Sequence, residues 1–235
     1  LGTQAAAKYI CAPDAVAAYW QGRYQRSLRT EAHRRRSLEL FEAAIAADAL
    51  FAPAHAAAGE VLATMAFHAE VPTGDGVMRA RALSHRALSL EDSLGQAHAT
   101  LGWIAFFFDH DWPAAEREFR RALALNPSDA SARQLYAQGL ASRRRAEQAV
   151  AESEAAARLD PLSYATSADL GVVLYLAGRF DECIARTRQV LEEHPDARTL
   201  HGILGVCHIA RGNFGAGRDH IDRFIAAFGR ASFAV

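Results

Sequence analysis

Along this chain, large apolar residues followed at once by small ones recur in a fixed register. Tyr136-Ala137, Leu170-Gly171 and Leu204-Gly205 lie nine and ten residues beyond Pro127, Pro161 and Pro195, and the prolines stand 34 residues apart. A second small residue, Ala115, Ala149 or Cys183, sits twelve residues before each proline. Counting backwards puts Asp92 and Ala49 in the proline slot, Leu101-Gly102 and Ala58-Gly59 in the large–small slot, and Ala80 in the second small slot. Counting forwards, Gly217 and Gly229 take the small and proline slots. The register survives six times.

Each period predicts two helices. A small residue is needed where paired helices approach closely, and bulky residues fill the space beside it. Proline ends the second helix because it has no N–H to continue the ladder and disfavours helix in the residue before it. In the fifth period the helices are expected near Ser163–Ala177 and Asp181–Glu193, with Gly178 as a left-handed stop between them. In DHDWPAAEREFRRALAL, Asp111 is the expected N-cap, with Pro113 in the first turn and Glu116 near the positive helix end. EVPTGDGV at 70–77 reads as a Gly/Pro turn lengthening the second period. In the first, YWQGRY belongs to one helix and SLRTEAHRRRSLELFEAAIAA carries the other.

This pattern resembles the tetratricopeptide repeat, with its large–small pair, its small-then-bulky second helix and its closing proline. The fold expected is all-α: an α-α superhelix, a right-handed solenoid of about six repeats. Their approximate bounds are 14–49, 50–92, 93–127, 128–161, 162–195 and 196–229. They form a single domain over 12–235, preceded by an N-terminal segment 1–11. Within the family, the stretches AAYWQGRYQRSLRTEAHRRRSLELFEAAIAADALFAPAHAAAGE and LGQAHATLGWIAFFFDHDWPAAEREFRRALALNPSDASA are similar to one bacterial subgroup. In it, such repeats follow winged-helix DNA-binding domains of transcriptional regulators or class III adenylate cyclase domains. The resemblance covers most of 12–228 and implies the sensory or interaction region of a signalling protein; no winged-helix or cyclase motif lies in the chain itself.

Composition narrows the function. A net charge of −1, from 26 basic and 27 acidic residues, gives no electrostatic case for nucleic acid or an anionic membrane. LGWIAFFF and LGVVLYLA are too short to span a bilayer. Cys11, Cys183 and Cys207 form neither a CxxC pair nor an even set, so no disulfide is expected and a reducing, cytoplasmic setting follows. Leu1 is not a methionine and 1–12 lacks the features of a signal peptide, which suggests a piece of a longer protein. HRRR (33–36) and SRRRA (142–146) read as solvated surface.

No catalytic, cofactor or metal site is expected, and the chain reads as non-enzymatic. His201, His208 and His220 are the tempting ligands, but His55, His98 and His201 share one repeat position, the aromatic slot, and recurrence by register means packing. DHD at 109–111 is read as helix capping. Cys183 sits in the close-packing slot and Cys207 mid-helix, both poor places for an exposed thiolate, and GNFGAG matches no phosphate loop.

A protein or peptide partner is expected in a concave groove lined by the first helix of each pair. The family's groove positions, carried over, include Gln96, Trp103, Phe106 and Phe107 in repeat three, Gln134 and Gln138 in repeat four, and Val172 and Tyr175 in repeat five. None of the positions carried over is Lys, Arg or Asn, so the carboxylate clamp of chaperone-binding members is absent. The aromatic rings suit anchoring and the amides suit pairing with a peptide backbone; packing between neighbouring helices is the competing role for the rings. A self-association role is also open, since Phe214, Ile221, Phe224, Ile225 and Phe228, followed by ASFAV, leave the last helix with little polar cover. A third possibility is an accessory region of a cyclase.

Overall fold

A computed structural model describes residues 11–28, 30–160, 164–195 and 197–228. Among the described residues there are twelve helices and no strand. The chain divides into two compact units, Leu1–Pro127 and Ser128–Val235.

The first unit holds α1 (Pro13–Ser27), α2 (Glu31–Ala47), α3 (Ala52–Phe67), α4 (Thr73–Leu90), α5 (Gly95–Phe107) and α6 (Trp112–Leu125). The second holds α7 (Ala130–Ser142), α8 (Ala146–Leu159), α9 (Tyr164–Leu176), α10 (Phe180–Glu193), α11 (Leu200–Ala210) and α12 (Phe214–Phe228). Consecutive helices pack in pairs, and within each unit the first helix of a pair also touches the first helix of the next. The short turns within pairs make them antiparallel hairpins. The fold class is therefore the expected one.

Helix starts follow local chemistry. Asp111 accepts from Ala114 N at 3.0 Å to cap α6, and Asp129 accepts from Ala132 N at 2.9 Å to cap α7. Pro13, Pro53 and Pro113 occupy first turns, where a missing N–H costs nothing. Helices α6 and α10 end at Leu125 and Glu193, two residues before Pro127 and Pro195. Pro161, Ser163, Gly229, segment 1–10 and ASFAV lie outside the described residues. One expectation needs correction: EVPTGDGV is not turn throughout, because α4 already begins at Thr73. Pro72 starts the helix, and Gly76 permits close contact, since a Cβ there would lie 2.9 Å from Ala66 Cβ.

The turn inside each later pair uses one left-handed residue. These are Ala69 (φ 55), His110 (φ 55), Arg144 (φ 58), Gly178 (φ 75) and Gly212 (φ 78). The last four share one register position. In that turn Arg145 N, Arg179 N and Asn213 N donate back to Leu140 O, Leu174 O and His208 O at 3.0, 2.9 and 2.8 Å. Only two of those four are glycine, so His110 and Arg144 hold a conformation that side chains disfavour.

Within pairs the small slot does what its register requires. A Cβ on Gly102 would lie 3.1 Å from the fully buried Phe119, and one on Gly205 would lie 2.6 Å from Ile221. Gly22 has the same relation to Phe41. The facing slot is not bulky throughout, however: Ser84, Ser153 and Thr187 occupy it, all buried. Ser84 Oγ donates to Ala80 O at 2.9 Å, which spares the core an unsatisfied hydroxyl. The basic runs lie on the surface as expected except at Arg34, which is mostly buried in its ion pair with Glu70. Arg34, Arg35 and Arg36 pair with Glu70, Glu31 and Glu39, and Arg143–Arg145 form the turn before α8.

The cysteines overturn the sequence reading. Cys183 of α10 and Cys207 of α11 form a disulfide with Cα atoms 6.8 Å apart, while Cys11 takes no part in it. Spacing gave no hint, because the bond joins a second helix to the first helix of the next pair. The same two register positions one repeat earlier hold Ala149 and Val173, both fully buried. That is the signal that could have placed the thiols face to face.

Arg144→Gly and His110→Gly should each raise stability by roughly 0.5–1 kcal/mol, read as a higher urea midpoint. Reducing Cys183–Cys207 should cost the second unit about 3 kcal/mol. Hydrogen exchange in dithiothreitol would show α8–α11 weakening while α2–α5 keep their protection.

Candidate protein-binding groove

In the first unit, α1, α3 and α5 are the first helices of successive pairs, and α3 touches both of the others. One polar bridge ties them together. Glu60 of α3 accepts from Arg26 of α1 at one oxygen and from Gln96 of α5 at the other. Each side chain belongs to a different pair, so the bridge marks a single face along which the three helices present their side chains. Arg23, one turn from Arg26, lies over the rings of Tyr19 and Trp20 at 5.9 Å and donates to Tyr19 Oη at 3.1 Å.

An aromatic cluster begins at Trp103, two turns beyond Gln96 on α5. Phe67, at the end of α3, lies 5.5 Å from Trp103 and 5.1 Å from Phe107 between ring centroids. Phe106 meets Phe107 at 4.6 Å and Trp112 at 5.6 Å. Trp103 is only 7 % exposed, so its ring packs between α3 and α5. Its Nε1–H is buried without a partner. Phe106 and Phe107 are half-buried, and Phe67 is 47 % exposed. Trp103 thus forms the back of the patch, and the three phenylalanines its accessible surface.

The second unit carries the other four expected residues. Gln134 and Gln138 lie on α7, Val172 and Tyr175 on the adjacent α9, and all four are half-buried. Tyr175 packs against Phe180 at 5.9 Å, which steadies the ring while leaving part of it accessible. The eight residues named from sequence therefore divide between the two units, four in each.

Three residues of the first-unit face were missed, Arg26, Glu60 and Phe67. Glu60 follows Gly59 as Trp103 follows Gly102, so the same register rule extended to repeat two would have found it. Phe67 occupies no groove position of the family, and only packing reveals it.

Other candidate chemistry is engaged in structure. Asp109 takes both of its contacts from Arg81, at 2.8 and 2.9 Å, while Asp111 caps α6. His55 bonds Ala49 O at 3.0 Å, and His98 bonds Glu118 at 2.7 Å. Among the described residues no group of three His, Cys, Asp or Glu is arranged to hold a metal ion. No helix among them is long and apolar enough to cross a membrane.

The comparisons agree with this geometry. The tetratricopeptide repeat family profile matches residues 168–232. A thermophilic tetratricopeptide protein from Thermus thermophilus superposes with a TM-score of 0.66 at 16 % identity, covering 83 % of this chain and 99 % of that one. PilW, a type IV pilus biogenesis factor, superposes with a TM-score of 0.68 at 16 % identity, covering 93 % and 96 %. Cut9 in the APC/C Cut9–Hcn1 hetero-tetramer gives 0.72 at 16 % identity, covering 92 % of this chain and 41 % of that one. At such identities the likeness is one of fold, and the fold is that of tetratricopeptide proteins. No curated protein matches the sequence.

Trp103→Ala should lower unfolding free energy by about 3–5 kcal/mol in a urea titration, the cost of emptying a buried aromatic site.

Proposed function

We propose that this chain is a non-catalytic module that binds a protein segment in extended or helical form along the first-helix face. The observations that carry the reading are the bridge Arg26–Glu60–Gln96 and the patch Phe67–Phe106–Phe107, which draw on the same helices α3 and α5. An ordered polar row next to accessible rings is what a peptide needs: amides to pair with backbone and rings to anchor side chains. Gln134, Gln138, Val172 and Tyr175 offer the same combination in the second unit. The tetratricopeptide fold supports the reading, since its solved relatives include a subunit of a hetero-tetramer.

The setting we favour is the interaction region of a bacterial signalling protein, a winged-helix regulator or an adenylate cyclase, in the cytoplasm. It rests on the resemblance carried by DHDWPAAEREFRRAL and requires such an effector domain on the parent chain. The Cys183–Cys207 bond is the observation that favours an oxidising setting instead. Self-association through the C-terminal repeat has one exposed ring in its favour, Phe214 at 68 %. Ile221 and Phe224 face Gly205 and Gly202 of their own pair. A mass from light scattering that rises with concentration is what the dimer needs.

Peptides selected on the immobilised chain test the main proposal. Phe106→Ser should weaken a peptide selected on the first-unit face at least tenfold, and Tyr175→Ser one selected on the second-unit face, with helix content by circular dichroism retained. Binding that survives both substitutions would remove the groove.

A further inference from the structure

Three imidazoles, of which register assigned His201 alone to packing, meet in the pair α11–α12. His201 and His208 stand two turns apart on α11, and His220 of α12 lies between them. The His220 ring stacks on His208 at 5.7 Å and 5°, and on His201 at 5.1 Å and 29°. His201 Nδ1 and His220 Nδ1 are 2.9 Å apart, a hydrogen bond that exists only while one of those nitrogens is bare. Arg188 of α10 places Nη2 3.1 Å from His208 Nε2. A guanidinium can only donate, so His208 Nε2 must also be unprotonated. Two separate contacts therefore demand neutral rings.

The charges around the cluster make protonation costly. Arg188 faces it from α10 and Arg223 from α12. Asp181 of α10 is taken by Arg211. Asp219 and Asp222 of α12 are exposed to solvent. Asp169 and Tyr175 are titratable groups of α9, which packs on α11. All three imidazoles are held below their ordinary value, by burial first and then by the neighbouring positive groups.

We propose that His201, His208 and His220 form a proton-operated latch that holds α12 on α11 at neutral pH and releases it on acidification. Once protonated, the two facing Nδ1 atoms are both donors, the stacked rings repel one another, and His208 confronts the Arg188 guanidinium with a second N–H. The released part is α12, because the Cys183–Cys207 bond ties α11 to α10 and no disulfide among the described residues ties α12. Opening would uncover Ile221 and Phe224 together with the Gly202–Gly205 surface they cover.

The direction follows from linkage. Once the helices part, the freed rings take up protons at the ordinary imidazole value of about 6.5, while the latched rings resist them until lower pH. The latch is thus whole above that value and weakens as pH falls through it. For each ring still neutral in the latched form at pH 5.5, opening should rise roughly tenfold from pH 7.5.

Hydrogen exchange on the whole chain reads this directly, after correction for the intrinsic rate at each pH. Protection of α12 should fall at least tenfold between pH 7.5 and 5.5, while α2 and α3 are unchanged. His220→Gln, and separately His201→Trp with His208→Tyr, should shrink that ratio. Equal protection of α12 at both pH values would overturn the latch, as would parallel loss in α2 and α3 or an undiminished ratio in both variants. Should a variant fail to fold, imidazole proton shifts in the native chain decide. Titration of all three rings at the ordinary value overturns the proposal; depressed titration in step with α12 exchange supports it.

Discussion

The close approach of two helices within each pair is the constraint on which the rest depends. At Gly22, Gly102 and Gly205 the first helix lacks a Cβ, and Phe41, Phe119 or Ile221 occupies the space. This contact sets the distance between the helices and so decides which residues face the next pair. Where the facing residue is Ser84 or Thr187, the gap narrows: a Cβ on Gly59 or Gly171 would lie 2.9 or 2.7 Å from the hydroxyl oxygen. Interlocking of small and large side chains at native density leaves little freedom to slide, so the face presented by the first helices inherits its order from the core.

That inheritance explains how a surface without any catalytic group acquires definition. Arg26, Glu60 and Gln96 come from three different pairs, yet they meet because stacking brings successive first helices alongside one another. Trp103 contributes differently. It is spent on packing against Phe67 and Phe107, and by doing so it stiffens the rings a partner could touch. Binding surface and core are thus layers of the same stack, and a change in one is felt in the other.

The pair α11–α12 differs in kind. Its interior holds imidazoles, His201 among them in the slot where the repeat pattern favours aromatic rings. Stacked neutral histidines fill the same space as those rings while keeping a titratable edge. A disulfide fastens α11 to the helix before it, so stability here is distributed unevenly: α11 is held covalently and α12 by contacts with α11. Such a gradient is where partial opening begins in a repeat array.

The 34-residue register, the helix pairing, the cap at Asp111 and the stop at Gly178 were all legible in the chain, because each is dictated by residues a few positions apart. The groove positions on α5, α7 and α9 came from the family resemblance, carried over by register, and not from spacing alone. What register could not settle was which residues of different repeats touch. Cys183 with Cys207, His220 between His201 and His208, Glu60 between Arg26 and Gln96, and the burial of Trp103 all depend on how neighbouring helices pack. A repeated sequence names the slots; the partner across each slot is chosen by tertiary packing, where side-chain volume and direction carry no periodic signature.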